Sequence, residues 1–220
     1  MTWTPLSLSL WVSTWASLLA LFFGTLIAWA LVKIPFRGKW LAEGLIMAPL
    51  VLPPTLLGYY LLTVLGQRGI GPWVEQIFGI RIVFSPWAAI IAASIAALPL
   101  VIQTVQVSIA SLSHEVDEAG QLDGCTRWGL FRYIHIPLIW RGLLAGWVLG
   151  FLRALGDFGA TLMVAGNIPG RTQTMSMAIY DAVQSNNLSR ANELAFILTS
   201  IGFGLLFFVL RLRQKNEKND

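Results

Sequence analysis

Long apolar runs separated by short polar stretches dominate this chain. A helix needs about 20 predominantly apolar residues to cross the roughly 30 Å of hydrocarbon in a bilayer. Five runs approach or exceed that length, which predicts an all-α membrane protein with about five transmembrane helices. We expect the whole chain, residues 1–220, to form a single transmembrane domain. The predicted spans cover residues 8–32, 44–65, 87–110, 138–165 and 194–210.

Prolines interrupt the second and third spans. Pro49, Pro53 and Pro54 lie near the middle of the second span, and Pro99 lies within the third. Because proline removes a helical hydrogen bond and clashes with the preceding turn, we expect the second span to be kinked or broken. A broken helix is tolerated in a membrane where protein or a water-filled cavity satisfies the freed carbonyls. This segment therefore either borders a pathway or bends only to improve packing.

The composition supports a membrane location. Hydrophobic residues make up 56% of the chain and charged residues only 12%, which is too apolar for a soluble domain of this size. The net charge of +4 does not indicate nucleic-acid binding, because most of it flanks the predicted spans. The single cysteine, Cys125, excludes a disulfide framework and a cysteine-based metal site.

The basic residues orient the predicted spans. No Lys or Arg precedes the first span and several follow it, which is the reverse of a signal peptide despite the sequence Ala28-Trp29-Ala30. With five crossings, all basic clusters fall on one side, which the positive-inside rule marks as the cytoplasm. We therefore expect the N-terminus, residues 67–86 and residues 166–192 outside, and the C-terminus in the cytoplasm. The clusters comprise Lys33, Arg37 and Lys39, then Arg127 and Arg132, then Arg211, Arg213, Lys215 and Lys218.

Residues 111–137, which we call the polar segment, separate the third span from the fourth. Ser113 can cap a short helix whose first turns carry acidic residues, which suit the positive end of the helix dipole. Gly124 provides a left-handed turn that ends this helix. Thr126 caps a second short helix, which we expect to end near Ile136 because Pro137 disfavours helix at the residue before it. A simple solvated loop is the alternative.

A stripe of small residues marks the fourth span. Gly142, Gly146 and Gly150 recur at every fourth position, which places them on one face of a helix. Such a stripe lets a second helix approach closely. We therefore expect this face to pack against another helix.

Polar residues mark a neighbouring side of the fourth span. Arg153, Asp157 and Thr161 are each one helical turn apart. At 1.5 Å per residue, Arg153 lies roughly 20 Å beyond the polar segment, in the outer half of the membrane, with Asp157 one turn further out. Charged groups within a span are costly, so they face a pathway or pair with each other. The three residues either border a translocation route or lock one helix to another.

The polar segment also carries a recognisable pattern. Residues Glu118–Gly120, Gly124 and Ile134–Pro137 recur at the offsets of an E-A-A-x-x-x-G loop that ends in I-x-L-P. The segment resembles the loop by which permease subunits of bacterial ATP-binding-cassette importers grip their ATPase. Gly120 stands for the second Ala of that loop and Ile136 for its Leu. The resemblance implies that the ATPase-coupling residues are Glu118, Ala119, Gly120, Gly124, Ile134 and Pro137.

Four further motifs indicate which group of importer permeases the chain resembles. They read L-P-P-T-x-x-G-Y at residues 52–59, G-x-R-G at 66–69, R-A-L-G-D-F-G-A-T at 153–161, and N-I-P-G-x-T-x-T at 167–174 with A-x-Y at 178–180. Together they make the chain similar to molybdate permeases over nearly its whole length. Sulfate permeases share the R-A-x-G-E-x-G pattern but are less similar over residues 167–180. Asp157 replaces the more usual Glu of that pattern.

The resemblance implies a type I importer of the bacterial inner membrane. Its expected partners are a second copy of this chain, a cytoplasmic ATPase dimer, an extracytoplasmic molybdate-binding protein and membrane lipid, with no nucleic acid. The chain has no G-x-x-x-x-G-K-[ST] phosphate loop, so we expect ATP and Mg²⁺ to bind the ATPase. The chain itself is then neither an enzyme nor a holder of a cofactor or metal.

Two alternatives remain. Molybdate, tungstate and sulfate are all tetrahedral dianions, and the binding protein does most of the selecting among them. An intramembrane aspartyl protease is the distant alternative, because L-G-D-F at 155–158 is similar to a G-x-G-D signature with Asp181 as partner. That dyad needs two intramembrane carboxylates, but Ala154 replaces the first Gly and Asp181 falls in an outer stretch. A zinc or serine mechanism is weaker still, because His114 and His135 both lie in the polar segment.

Overall fold

The computed structural model describes residues 4–112, 122 and 124–217. Helices joined by short loops account for these residues, as the all-α prediction requires. The elements are α1 (Pro5–Lys33), α2 (Lys39–Val51), α3 (Pro54–Leu65), α4 (Gly71–Phe78), α5 (Pro86–Ala110), α6 (Arg127–Gly129), a π-helical turn (Leu130–His135), α7 (Ile136–Leu155), α8 (Gly159–Ala165), α9 (Met175–Gln184) and α10 (Leu188–Glu217).

The helices agree with the prediction of about five spans. Within the described residues, four stretches are long and apolar enough to cross a membrane. The bent pair α2 and α3 makes a fifth if the two helices count as one broken span. The four continuous stretches are Pro5–Lys33, Pro86–Ala110, Leu130–Leu155 and Leu188–Phe207.

Three helices, α1, α5 and α7, pack against one another and form the centre of the fold. The most buried of them is α5, because its alanines offer small side chains that let neighbouring backbones approach closely. Pro86 is the first residue of this helix, where a backbone N–H would have no helical hydrogen-bond acceptor. Its missing N–H therefore costs no hydrogen bond. Pro99 stays inside it without ending it. The fully or almost fully buried alanines of α5 are Ala88, Ala89, Ala92, Ala93, Ala96 and Ala97.

The second predicted span is broken, as its prolines indicate. The axes of α2 and α3 differ by 111°. Leu52 is extended, with φ −71° and ψ 137°, because the residue before a proline is driven out of the helical region. Pro54 then begins α3. After the bend, α3 packs on α8, and a Cβ at Gly58 would lie 2.8 Å from the carbonyl oxygen of Ala160.

The fourth predicted span is not one helix. A single helix over 138–165 was the expectation, but α7 ends at Leu155 and α8 begins at Gly159. The intervening Asp157 turns its carboxylate onto the first turn of α8, where it accepts the backbone N–H of Thr161 at 3.0 Å. This local hydrogen bond competes with helix continuation. Asp157 therefore lies in a break and not one helical turn beyond Arg153.

The prediction that the second short helix of the polar segment ends near Ile136 is wrong. Helical backbone continues from Arg127 through Pro137 into α7. The physical reason is the π-helical turn Leu130–His135, in which the N–H of Ile136 donates to the carbonyl of Phe131, five residues back. Pro137 falls in the first turn after this widened stretch, where its missing N–H is tolerated.

The last helix, α10, packs mainly on α9 and lies largely apart from the central bundle. Only 6% of its apolar stretch is buried within this chain. It is longer than the predicted span 194–210, because helix begins at Leu188 and continues to Glu217. Because so little of α10 is buried, the aromatic side chains of Phe196, Phe203 and Phe207 are exposed.

Candidate functional site

The structure describes the turn of the polar segment and the helix that follows it. Gly124 has φ +79°, the left-handed conformation that the sequence predicts, and a Cβ there would meet no atom of the described residues within 4 Å. The cost of a side chain at this position is therefore backbone strain and not a steric clash. The hydroxyl of Thr126 accepts the N–H of Gly129 at 3.1 Å and caps α6. The expected coupling residues Glu118, Ala119 and Gly120 lie outside the described residues.

The two remaining coupling candidates lie on the helix that leaves the polar segment. Ile134 is half-buried in the π-helical turn, whereas Pro137 is exposed in the first turn of α7. A π-helical turn is rare and is often found at functional sites. Here it lies in the last part of the polar segment and leads directly into α7, one of the three central helices.

A cluster of aromatic rings ties the polar segment to α1. The ring of Trp29 lies 4.8 Å from that of Phe131 and 4.9 Å from that of His135, centroid to centroid. Trp128 stacks on Phe131 at 5.6 Å, and the Lys33 ammonium lies 5.8 Å from the Trp29 ring. Each aromatic pair contributes about 0.5–1.5 kcal/mol beyond its burial. The sequence predictions missed Trp29, because nothing in the pattern connects it to residues a hundred positions later.

The structure brings Arg153, Asp157 and Thr161 together. Nη1 of Arg153 lies 3.3 Å from Oδ1 of Asp157. The other carboxylate oxygen, Oδ2, accepts both the backbone N–H and the hydroxyl of Thr161. Asp157 is 3% exposed, whereas 26% of the Arg153 side-chain surface is exposed. The carboxylate therefore joins the end of α7 to the start of α8.

This arrangement is electrostatically favourable at the break. The positive end of a helix dipole attracts negative charge, and Asp157 lies at the first turn of α8. The guanidinium of Arg153 adds a second positive partner on the other side of the carboxylate. A buried charge with such partners is tolerated, whereas an unpaired one is costly.

The glycine stripe of α7 faces α5. A Cβ at Gly142 would lie 1.8 Å from Oγ of Ser108, and one at Gly150 would lie 2.7 Å from Cγ2 of Val101. At Gly146 the nearest atom, Cγ2 of Val105, would be 3.3 Å away. Because real Cβ atoms do not approach within 3 Å of other heavy atoms, the first two positions require glycine for the observed packing.

The loop 167–174 is organised by a buried threonine. The hydroxyl of Thr172 donates to the carbonyl of Gly166 at 3.0 Å and accepts the N–H of Ile168 at 3.1 Å. After this loop, the N–H of Met175 donates to Oγ of Ser9 at 2.7 Å, which fixes α9 to α1. The N-I-P-G-x-T-x-T motif thus has a structural explanation.

The two carboxylates of the protease alternative have different partners. Asp157 binds Arg153 and Thr161, whereas Oδ2 of Asp181 lies 3.4 Å from Nε2 of Gln173 on the loop before α9. A catalytic dyad requires the two carboxylates to share a proton or a water molecule. The observed partners give no support to the dyad.

An open pocket lies beside α4, between the end of α3 and residues 81–84. Arg68 and Arg81 line it together with Glu75. Nε of Arg81 donates to Oε1 of Glu75 at 2.6 Å. This hydrogen bond and the charge of Glu75 raise the pKa of Arg81 above its ordinary value.

Comparison with known proteins now decides the family. Residues 20–217 match the family described as "Binding-protein-dependent transport system inner membrane component". This chain belongs to that family. The permease, as we call it from here, is a multi-pass inner-membrane component of an importer, and in such importers the ATPase is a separate subunit.

Relatives and solved structures extend this assignment. The permease is 40% identical to the molybdenum transport system permease protein ModB of Escherichia coli K12 over 83% of this chain and 80% of that protein. It is 31% identical to the sulfate transport system permease protein CysT of the same organism, over 88% of this chain and 70% of that protein. A bacterial ABC transporter that imports alginate has the same fold, with a TM-score of 0.73, 15% identity, and coverage of 96% of this chain and 78% of that one.

Proposed function

We propose that the permease forms, as a homodimer, the translocation pathway of an ATP-driven molybdate importer. The 40% identity to a molybdenum transport permease over most of the chain is the observation that carries this proposal. An extracytoplasmic molybdate-binding protein delivers the anion, and a cytoplasmic ATPase dimer binds ATP and Mg²⁺. Transport of sulfate is the second candidate, favoured by the 31% identity to a sulfate permease, and tungstate has the same shape and charge as molybdate.

The polar segment is the proposed contact with the ATPase. Its Gly124 turn and Thr126 cap support a structured contact surface. The basic residues around it support a cytoplasmic position for this segment and for the C-terminus, by the positive-inside rule. A ligand shifts a conformational equilibrium only through different affinities for its states, and ATP bound by the ATPase provides that difference.

Arg153 is proposed to border the translocation route in the outer half of the membrane. Its partly exposed guanidinium can attract a dianion, while Asp157 moderates the positive charge so that the anion is released again. Thr161 holds Asp157 in place for this role. The competing explanation is that the three residues only lock α7 to α8.

Reconstituted transport tests the substrate. We expect proteoliposomes with the permease, its ATPase and its binding protein to take up molybdate in an ATP-dependent manner, at least tenfold faster than sulfate. Uptake of labelled molybdate, tungstate and sulfate is compared, with ATP replaced by ADP as the control. Sulfate uptake that exceeds molybdate uptake would overturn the molybdate assignment, and no ATP-dependent uptake of any oxyanion would overturn the importer.

Gly124→Val tests the polar segment. A β-branched residue is strained at φ +79°, so the turn should change shape and displace the ATPase contact. We expect transport to fall at least tenfold while the protein remains in the membrane. Gly124→Asn is the matched control, because Asn tolerates the left-handed conformation. Wild-type transport and transport-coupled ATP hydrolysis in Gly124→Val would remove the support for this coupling role.

A further inference from the structure

Trp29 is a residue of α1 that contacts the described part of the polar segment. Its indole faces Phe131 almost perpendicularly, at 84°, and His135 at 43°. Both partners belong to the π-helical turn, four residues apart, and therefore present their rings to the same neighbour. Trp29 itself lies one turn before Lys33, the last residue of α1.

Burial distinguishes this contact from an incidental one. His135 is 4% exposed, and Leu130 at the start of the π-helical turn is also 4% exposed. Trp29 packs at the same time on the buried cluster that α1 shares with α5 and α7, which includes Ile139 and Ile109. The ring of Trp29 therefore touches both the π-helical turn and the central bundle.

Further contacts extend from Phe131 to the exposed surface of the polar segment. Phe131 stacks on Trp128, which is 68% exposed and belongs to α6. Thr126 caps α6 and follows the left-handed turn at Gly124. A chain of direct contacts thus runs from the exposed surface of the polar segment through Trp128 and Phe131 to Trp29.

We propose that Trp29 is a positioning residue that holds the polar segment against α1, so that a displacement of this segment moves α1 together with α7. The inference rests on the proposed coupling to an ATPase. Without Trp29, the polar segment remains attached to α7 through continuous helix but loses the ring contacts of Phe131 and His135 to α1. Force from the ATPase would then reach α1 only indirectly, through its packing on α5 and α7.

Trp29→Leu tests this role, because leucine keeps an apolar side chain but offers no ring face to Phe131 and His135. In the reconstituted complex we expect wild-type yield of the permease–ATPase assembly and near wild-type basal ATP hydrolysis, with oxyanion uptake per ATP hydrolysed reduced at least tenfold. Trp29→Phe should restore most of the coupling. Trp15→Leu is the matched control, since Trp15 is a 48% exposed tryptophan of the same helix, and should transport like the wild type.

The outcomes separate this inference from the proposed function. Wild-type coupling in Trp29→Leu, alongside uncoupling in Gly124→Val, overturns the role of Trp29 and leaves the polar segment as the ATPase contact. Wild-type coupling in both variants also overturns the proposed ATPase contact of the polar segment, whereas the absence of ATP-dependent uptake by the unmodified complex is the result that overturns the importer. A parallel loss of assembly, basal hydrolysis and uptake in Trp29→Leu, with no rescue by Trp29→Phe, shows a purely structural residue and also overturns the positioning role.

Discussion

Asp157→Ala is expected to destabilise the permease by roughly 3–5 kcal/mol, because it removes two hydrogen bonds to a charged acceptor, each contributing about 1.5–3 kcal/mol, together with one partner of an ion pair. The substitution leaves Arg153, whose side chain is 26% exposed, without its carboxylate. It also removes the acceptor of the Thr161 N–H and hydroxyl at the start of α8. Thermal unfolding of the detergent-solubilised protein measures the loss.

A double-mutant cycle separates the two explanations of the pair. Arg153→Ala and the double variant Arg153→Ala, Asp157→Ala are scored for stability and for oxyanion uptake. We expect the double variant to recover part of the stability, because no buried charge is left unpaired, while uptake stays low. Recovery of uptake together with stability would identify Arg153 and Asp157 as a helix lock and remove them from the pathway.

Asp157→Asn is the conservative control for this cycle. An amide keeps one oxygen that can accept the Thr161 N–H, but it carries no charge for Arg153. We expect it to be less destabilising than Asp157→Ala. Equal losses in the two variants would show that the ion pair, and not the hydrogen bond to Thr161, dominates the stability of the break.

Alanine substitutions at Gly142, Gly150 and Gly146 are expected to destabilise the permease to different extents, in that order. Gly142→Ala should destabilise most, because its Cβ would lie 2.4 Å from Cβ of Ser108, an atom that no side-chain rotation can move away. Gly150→Ala follows, with Val101 Cγ2 at 2.7 Å. Overpacking a tight contact costs about 1–3 kcal/mol. The higher helix propensity of alanine offsets about 1 kcal/mol of that.

Gly146→Ala is the matched control, because its new Cβ would lie 3.3 Å from the nearest side-chain atom. The propensity gain and the tight contact should nearly cancel there, and only a larger residue such as leucine should separate α7 from α5. Relief of the clash gives a second check: Val101→Ala should rescue Gly150→Ala but not Gly142→Ala. Thermal unfolding in detergent measures each variant, and equal destabilisation at all three positions would contradict the packing described here.

Local signals in the sequence account for much of the fold. Apolar run lengths predict the candidate spans because the bilayer imposes its thickness on each helix. Pro53 and Pro54 predict the break between α2 and α3, because proline acts on the backbone beside it. Gly124 predicts a left-handed turn for the same local reason.

Signals that depend on packing could not be read from the sequence. Apolar residues continue past Leu155, so hydrophobicity alone does not predict where α7 ends. The end depends on the hydrogen bond that the Asp157 carboxylate accepts from the N–H of Thr161. The π-helical turn lets helix pass Pro137, although the proline alone predicts an end. The contact between Trp29 and Phe131 depends on how α1 and α7 pack, which no local pattern encodes.

The sharp bend between α2 and α3 has a consequence for biogenesis. With 13 and 12 residues, the two helices are about 20 Å and 18 Å long, so neither can cross the hydrocarbon on its own. α3 packs against Ala160 and Met163, which belong to α8. The ribosome synthesises α8 only after α5 and α7. We therefore expect α2 to find its packing partner once α5 has been synthesised, whereas α3 completes its packing only after α8 has been synthesised.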